Sequence, residues 1–165
     1  MRHIISILLQ NEAGALSRVS NLFSSRGYNI ESLNVAPTAD ETVSRLTLVT
    51  TGSDEVIDQI GKQLAKLVDV VDITDMTSAD HVERELALFK LHLADGKTEQ
   101  LRRLLASSSA RVLDDHEGHF TIELIGGSQE IDRFLDRIKG LAELSTVVRS
   151  GAMAVARGAP VFARG

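Results

Sequence analysis

Asn11, Gly14 and Asn29 are the residues whose types and spacing could hold a ligand. A glycine at the mouth of a helix leaves backbone N–H groups bare, and bare amides at the positive end of a helix suit a carboxylate. An asparagine side chain offers both a donor and an acceptor, so it can meet either a carboxylate or an ammonium. The apolar neighbours Leu16, Ile30, Val35 and Ala36 would line a pocket for an aliphatic side chain. With strands one and two side by side in a split-βαβ sheet, the Asn11–Gly14 loop and Asn29 are expected to approach one another. Such a constellation binds a small anionic or zwitterionic molecule and breaks no bond. The same residues also serve as turn, cap and core positions, so the pattern alone leaves both uses open.

Other sets with chemical promise are incomplete. His116 and His119 stand three apart around Glu117-Gly118, but zinc needs at least three protein ligands, and a solvated hairpin turn accounts for them. Ser107-Ser108-Ser109 is in no nucleophile-elbow pattern. Gly126-Gly127 has neither the spacing of a dinucleotide fingerprint nor the lysine of a phosphate loop. His3, His81 and His92 are isolated in sequence, and no pair of carboxylates presents itself as an acid/base couple. The absence of cysteine excludes disulfides, thiolate catalysis and cysteine-bound metal, and fits a reducing compartment.

The elements that must position these residues follow from hydrophobic spacing. Residues 2–9 read as a strand, and Leu16, Val19, Leu22 and Phe23 give residues 15–26 one apolar helical face. Gly27 sits where a left-handed residue ends a helix. Residues 29–37 run extended, 38–42 form a polar loop, and 43–50 alternate as a strand. Ser53-Asp54-Glu55 opens a second helix by capping and early negative charge, with Ile57, Ile60, Leu64 and Leu67 on one face. Val70, Val71 and Ile73 close a βαββαβ unit.

The order then repeats. Residues 75–85 are polar punctuation, with 77–85 a linker after a first domain of residues 1–76. Residues 86–165 form the second domain: a strand at 86–94, a helix at 97–106, strands around a turn at Asp114–Gly118, a helix after Ser128 and a strand near Leu144–Arg149. The expected fold class is therefore α+β, two ferredoxin-like domains in tandem. The Ala/Gly-rich tail from Ser150 extends the sheet through Met153 and Val155 or stays loose.

Composition narrows the function classes. The 165 residues are 43% hydrophobic and 25% charged, with 4% aromatics and no tryptophan, so the core must be built from Leu, Ile, Val and Ala. The net charge of −5 lies entirely in residues 1–80, which argues against nucleic acid or an anionic membrane as partner. The opening apolar run is too short for a signal-peptide core or a membrane span, so a cytoplasmic location is expected.

The segment Arg2 to Asp75, with N-E-A-G-A-L-S-R-V and R-G-Y-N-I-E-S-L, resembles an ACT domain, the amino-acid-sensing βαββαβ module. V-A-P-T at Val35–Thr38, S-R-L-T at Ser44–Thr47, K-Q-L-x-K-L-V-D-V at Lys62–Val70 and H-V-E-R-E at His81–Glu85 make it similar to the bacterial acetolactate synthase small subunits. The second half resembles that family's C-terminal ferredoxin-like domain, mainly through length and pattern, together with the ending V-V-R-S-G at Val147–Gly151. The resemblance implies a regulatory chain without catalytic residues. It would activate a catalytic large subunit and confer feedback inhibition by valine in branched-chain amino-acid synthesis. Thiamine diphosphate, FAD and magnesium would belong to that large subunit and not to this chain. The resemblance also implies a homodimer through ACT domains, with each valine pocket drawn from both chains. The family's effector positions fall on Asn11, Gly14, Ala15 and Leu16, with Asn29 and Ile30 from the second strand, and Val35 and Ala36 as wall residues. Two other classes stay open: an ACT-bearing sensor serving another enzyme or a transcriptional regulator, and a small enzyme on the same fold.

Overall fold

The computed structural model describes residues 1–93 and 96–162, and these divide into two units. The first comprises Met1–Val82 together with the tail from Ala152, the second Glu83–Gly151. This differs from the expected division at residues 76 and 86. The segment 77–85 is not all linker, because β5 begins at His81 and runs to His92. The tail leaves the second domain and packs in the first unit.

In the first unit, β1 (Arg2–Gln10), α1 (Ala15–Ser25), β2 (Ile30–Pro37), β3 (Val43–Thr51), α2 (Asp54–Leu64) and β4 (Val70–Asp75) form an antiparallel sheet of order β2-β3-β1-β4. The helices bury Val19, Phe23, Ile57, Ile60 and Leu64 against Ile5, Ile7, Leu9, Leu46 and Leu48. Alternation then sends Ile4, Leu8, Val43 and Val49 to the other face. There the tail covers them: Ile4 and Val49 meet Ala152 and Ala154, and Leu8 and Val43 meet Phe162. Arg45 fixes this cover, donating to Ser6 Oγ at 3.0 Å and to Ala154 O at 3.1 Å while lying 5.2 Å from the Phe162 ring centroid. Burial pushes the Arg45 guanidinium below its ordinary pKa. The largely apolar run of β1, interrupted only by Ser6, thus has a plain cause, since both its faces are covered.

In the second unit, β5, α3 (Thr98–Ala106), β6 (Arg111–His116), β7 (His119–Gly126), α4 (Ser128–Lys139) and β8 (Glu143–Arg149) repeat the arrangement, with order β6-β7-β5-β8. Its core joins Phe89, Leu91, Ile122 and Leu124 to Leu101, Leu104, Ile131 and Phe134. The tail's short strand β9 (Met153–Ala156) belongs to the first unit. It pairs with β5, whose first residues His81 and Val82 lie in that unit, so the expected strand through Met153 and Val155 is present. His116 pairs with His119 across a two-residue turn in which Glu117 and Gly118 have φ of 49° and 77°, so these histidines close a hairpin. In both units the βαββαβ order expected from spacing is present.

Candidate functional site

The chain leaves β1 at Gln10, whose N–H donates to Asp69 O at 2.8 Å, and turns through Asn11 to Gly14. Asn11 is anchored twice to the loop before β3: its N–H donates to Thr42 O at 2.8 Å and its side-chain amide to Glu41 O at 2.9 Å. That leaves the Asn11 side-chain oxygen as a free acceptor among the described residues. Gly14 is the N-cap of α1 at φ 87°, ψ −9°, a left-handed conformation that disfavours any side chain. No side chain caps α1, and its first turn holds no acidic residue. Ala15 N–H reaches Glu12 O at 3.3 Å, and Arg18 N–H reaches Gly14 O at 3.0 Å. Between them the N–H groups of Leu16 and Ser17 find no acceptor among the described residues. Two bare amides at a helix start make a seat for a carboxylate.

The surroundings suit that use. Leu16, expected on the inward face of α1, is instead 38% exposed beside the bare amides, whereas Ala15 is buried. Sequence reasoning missed Arg18 and Asp69. Arg18 Nε and Nη2 donate to Asp69 Oδ2 and Oδ1 at 2.5 and 2.8 Å, and this bidentate pair holds the Asp69 carboxyl below its ordinary pKa. The third nitrogen, Nη1, lies 2.9 Å from where a Cβ on Gly14 would sit. Arg18 therefore roofs Gly14 and fixes the loop to the segment entering β4. The available signal was a cation one helical turn beyond Gly14, but its anionic partner lies 51 residues away.

The expected approach of Asn29 to this loop does not occur within one chain. β1 and β2 are not neighbours, because β3 lies between them. Gln10 pairs with Val43, whereas Ile30 pairs with Thr50, which also faces His3. The two ends are therefore about 23 Å apart along β3, at a rise of about 3.3 Å per residue. Asn29, whose carbonyl accepts from Thr50 Oγ1 at 2.6 Å, and Ile30 stand at the far end of the sheet. Val35 and Ala36, both exposed, pair with Leu46 and Arg45 toward the Gly14 end. Ile30, Val35 and Ala36 lie on β2 and Asn29 leads into it, and β2 is an edge strand with one row of backbone groups unpaired in the sheet. The predicted residues thus fall into two groups at opposite ends of one open sheet edge.

With that geometry in view, two family models match the chain: an AHAS small subunit-like ACT domain over residues 5–72, and the small subunit of acetolactate synthase over residues 84–158. The chain is 45% identical over 158 residues to the acetolactate synthase isozyme 3 small subunit of Salmonella typhimurium, covering 96% of this chain and 97% of that protein. It is 38% identical over 160 residues to a probable acetolactate synthase small subunit of Archaeoglobus fulgidus, covering 96% and 98%. The crystal structure of the acetolactate synthase small subunit from Thermotoga maritima superimposes with a TM-score of 0.84 at 31% identity, covering 96% of this chain and 99% of that one.

Proposed function

Because the chain belongs to the family of acetolactate synthase small subunits, we propose that it activates a catalytic large subunit and makes it sensitive to feedback inhibition by valine. The observation that carries the reading is the pair of residue groups at opposite ends of one sheet edge. Two copies joined antiparallel along β2 about a two-fold axis set the start of one β2 against the end of the other. Asn29 and Ile30 of the partner subunit would then close on the Gly14 end of this chain. Such a dimer also removes an exposed sheet edge.

In that pocket the valine carboxylate sits on the Leu16 and Ser17 amides behind Gly14. Asn11 accepts from the ammonium through its free oxygen, and Leu16 with Val35 and Ala36 flanks the isopropyl group. A ligand bridging two chains binds one dimer arrangement better than another, which is the condition for passing a signal. A coupling of about 1–3 kcal/mol is enough to change activation of a partner several-fold. The chain supplies no reacting group in this scheme. Thiamine diphosphate, FAD and magnesium act on the large subunit, and the complex works in the cytoplasm.

Calorimetric titration with valine, leucine and isoleucine, followed by assay of the reconstituted complex, tests the proposal. Saturable valine binding with valine inhibition of the complex is expected. A complex whose activity ignores both the small subunit and valine would overturn it.

A further inference from the structure

A second cleft lies between α2 and the β1–β4 side of the first sheet, well away from Gly14, with a volume of about 510 Å³. That is within the roughly 300–1,000 Å³ of small-ligand pockets. Ile5, Ile57, Ile73 and Ala65 give it an apolar floor, and its polar end holds His3 with Asp54 and Asp75. His3 is 2% exposed, yet its Nε2 has no hydrogen-bond partner among the described residues. A buried polar atom left unmatched costs about 1–3 kcal/mol, so such an atom in a cleft calls for a partner.

The hydrogen bonds around the ring fix what that partner must be. Nδ1 faces Asp75 Oδ2 at 3.3 Å and Thr77 Oγ1 at 3.4 Å. The Thr77 hydroxyl donates its proton to Asp75 Oδ1 at 2.5 Å, so its oxygen can only accept from the ring. Both neighbours of Nδ1 are acceptors, so Nδ1 carries a proton, and in the tautomer that serves them Nε2 presents a lone pair. Asp54 Oδ1 stands 3.5 Å from that lone pair, and it too is an acceptor. A group with at least two N–H donors meets both acceptors across the apolar floor. The nearby Lys62 does not supply it, since its ammonium is paired with Asp58 at 2.5 Å. A metal ion does not suit either: no group of three or more metal-ligating side chains occurs among the described residues.

We propose that this cleft is a second binding site, taking a small primary ammonium compound with a short aliphatic body. One N–H donates to His3 Nε2, another to the Asp54 carboxylate, and the hydrocarbon lies on Ile57 and Ile73. The site is independent of the valine pocket and does not rest on that reading.

The test is NMR titration of the full-length chain with isobutylammonium chloride, following the His3 imidazole nitrogens and the Ile57 and Ile73 methyl groups. Isobutanol and isovalerate serve as the neutral and anionic counterparts. Saturable shifts at His3 are expected with the ammonium, with binding at least tenfold weaker for isobutanol. Asp54→Asn, a change at a side chain 78% exposed, should weaken ammonium binding at least tenfold while unfolding remains cooperative. Gly14→Asp should leave it unchanged. Three results would overturn the proposal: no saturable shift at His3, equal binding of the neutral alcohol, or loss of binding in Gly14→Asp with retention in Asp54→Asn. An imidazole doubly protonated at neutral pH without ligand would overturn it as well, because the ring would then satisfy Asp54 itself.

Discussion

The two helices of the first unit begin in opposite ways. At α2, Ser53 Oγ accepts from Val56 N–H at 3.4 Å, and Asp54 and Glu55 occupy the first turn. Hydrogen bonding to Ser53 holds the Glu55 carboxyl below its ordinary pKa. That helix carries its own negative charge. At α1 the corresponding position is Gly14 in a left-handed conformation, with no cap and no acid in the first turn. One sheet therefore supports a helix start that is complete in itself and another that is left uncapped, the one at which the proposed function seats the ligand's carboxylate. The difference teaches that the two helix starts of one sheet can differ by a single capping residue, present at Ser53 and left out at Gly14.

Supplying α1 with the missing charge is the strongest way to break this contrast. Gly14→Asp puts a carboxylate where the ligand's would sit, and adds left-handed strain of about 1–2 kcal/mol. Valine binding should weaken at least tenfold, about 1.4 kcal/mol, and valine inhibition of the reconstituted complex should disappear. Retained inhibition in that variant would remove Gly14 from the site.

Asp69→Asn attacks the roof of the same helix start. Asp69 is buried and its only ion pair among the described residues is with Arg18, so the variant should lose more thermal stability than Ser53→Ala or Lys62→Ala. Its valine affinity should fall too, since Arg18 would no longer be held over Gly14. Parallel melting curves and titrations of the variant check both effects.

The complementary change at α2, Ser53→Ala, removes a cap worth about 1 kcal/mol. Urea unfolding should show that loss with valine affinity unchanged. If valine affinity fell equally, the two helix starts would not be functionally distinct.

Acid sharpens the contrast further. The carboxyls of Asp69 and Glu55 are both depressed in the folded chain. Their contribution to stability is therefore present above the unfolded-state carboxyl values, about 4, and is lost as pH falls through the lower folded values. Melting temperature against pH should drop in that acidic window, and the drop should be shallower in Asp69→Asn. The smallest effect belongs to Lys62→Ala, which breaks an exposed pair with Asp58 on α2. A change of about 0.3 kcal/mol or less is expected, without effect on valine.

Much of this unit was legible in the sequence because its signals are local. The Ser53 cap, the apolar face of α2 and the Gly14 opening each lie within a few neighbouring residues. The hairpin at Glu117-Gly118 was legible for the same reason. Strand order was not local, and the expectation that β1 and β2 adjoin failed because a later strand, β3, inserts between them. His3 gave no signal because Asp75 lies 72 residues away. The tail was legible in part. The strand expected through Met153 and Val155 is present as β9, but the tail's packing in the first unit was not legible, because its Ala/Gly-rich sequence carries no periodicity. The clue lay elsewhere, in the apolar residues of β1 on both sides of the strand, Ile4 and Leu8 as well as Ile5, Ile7 and Leu9, which require cover on both faces.

That returning tail has a consequence for how the protein is made. About 70 residues separate Val82 from Ala152, and ribosomes add about 5–20 residues per second. For several seconds of each synthesis the first sheet can form while Ile4, Leu8, Val43 and Val49 still lack their cover. The nascent chain thus exposes a sticky apolar surface until Ala152, Ala154 and Phe162 emerge, and this interval is when a chaperone would have most to do.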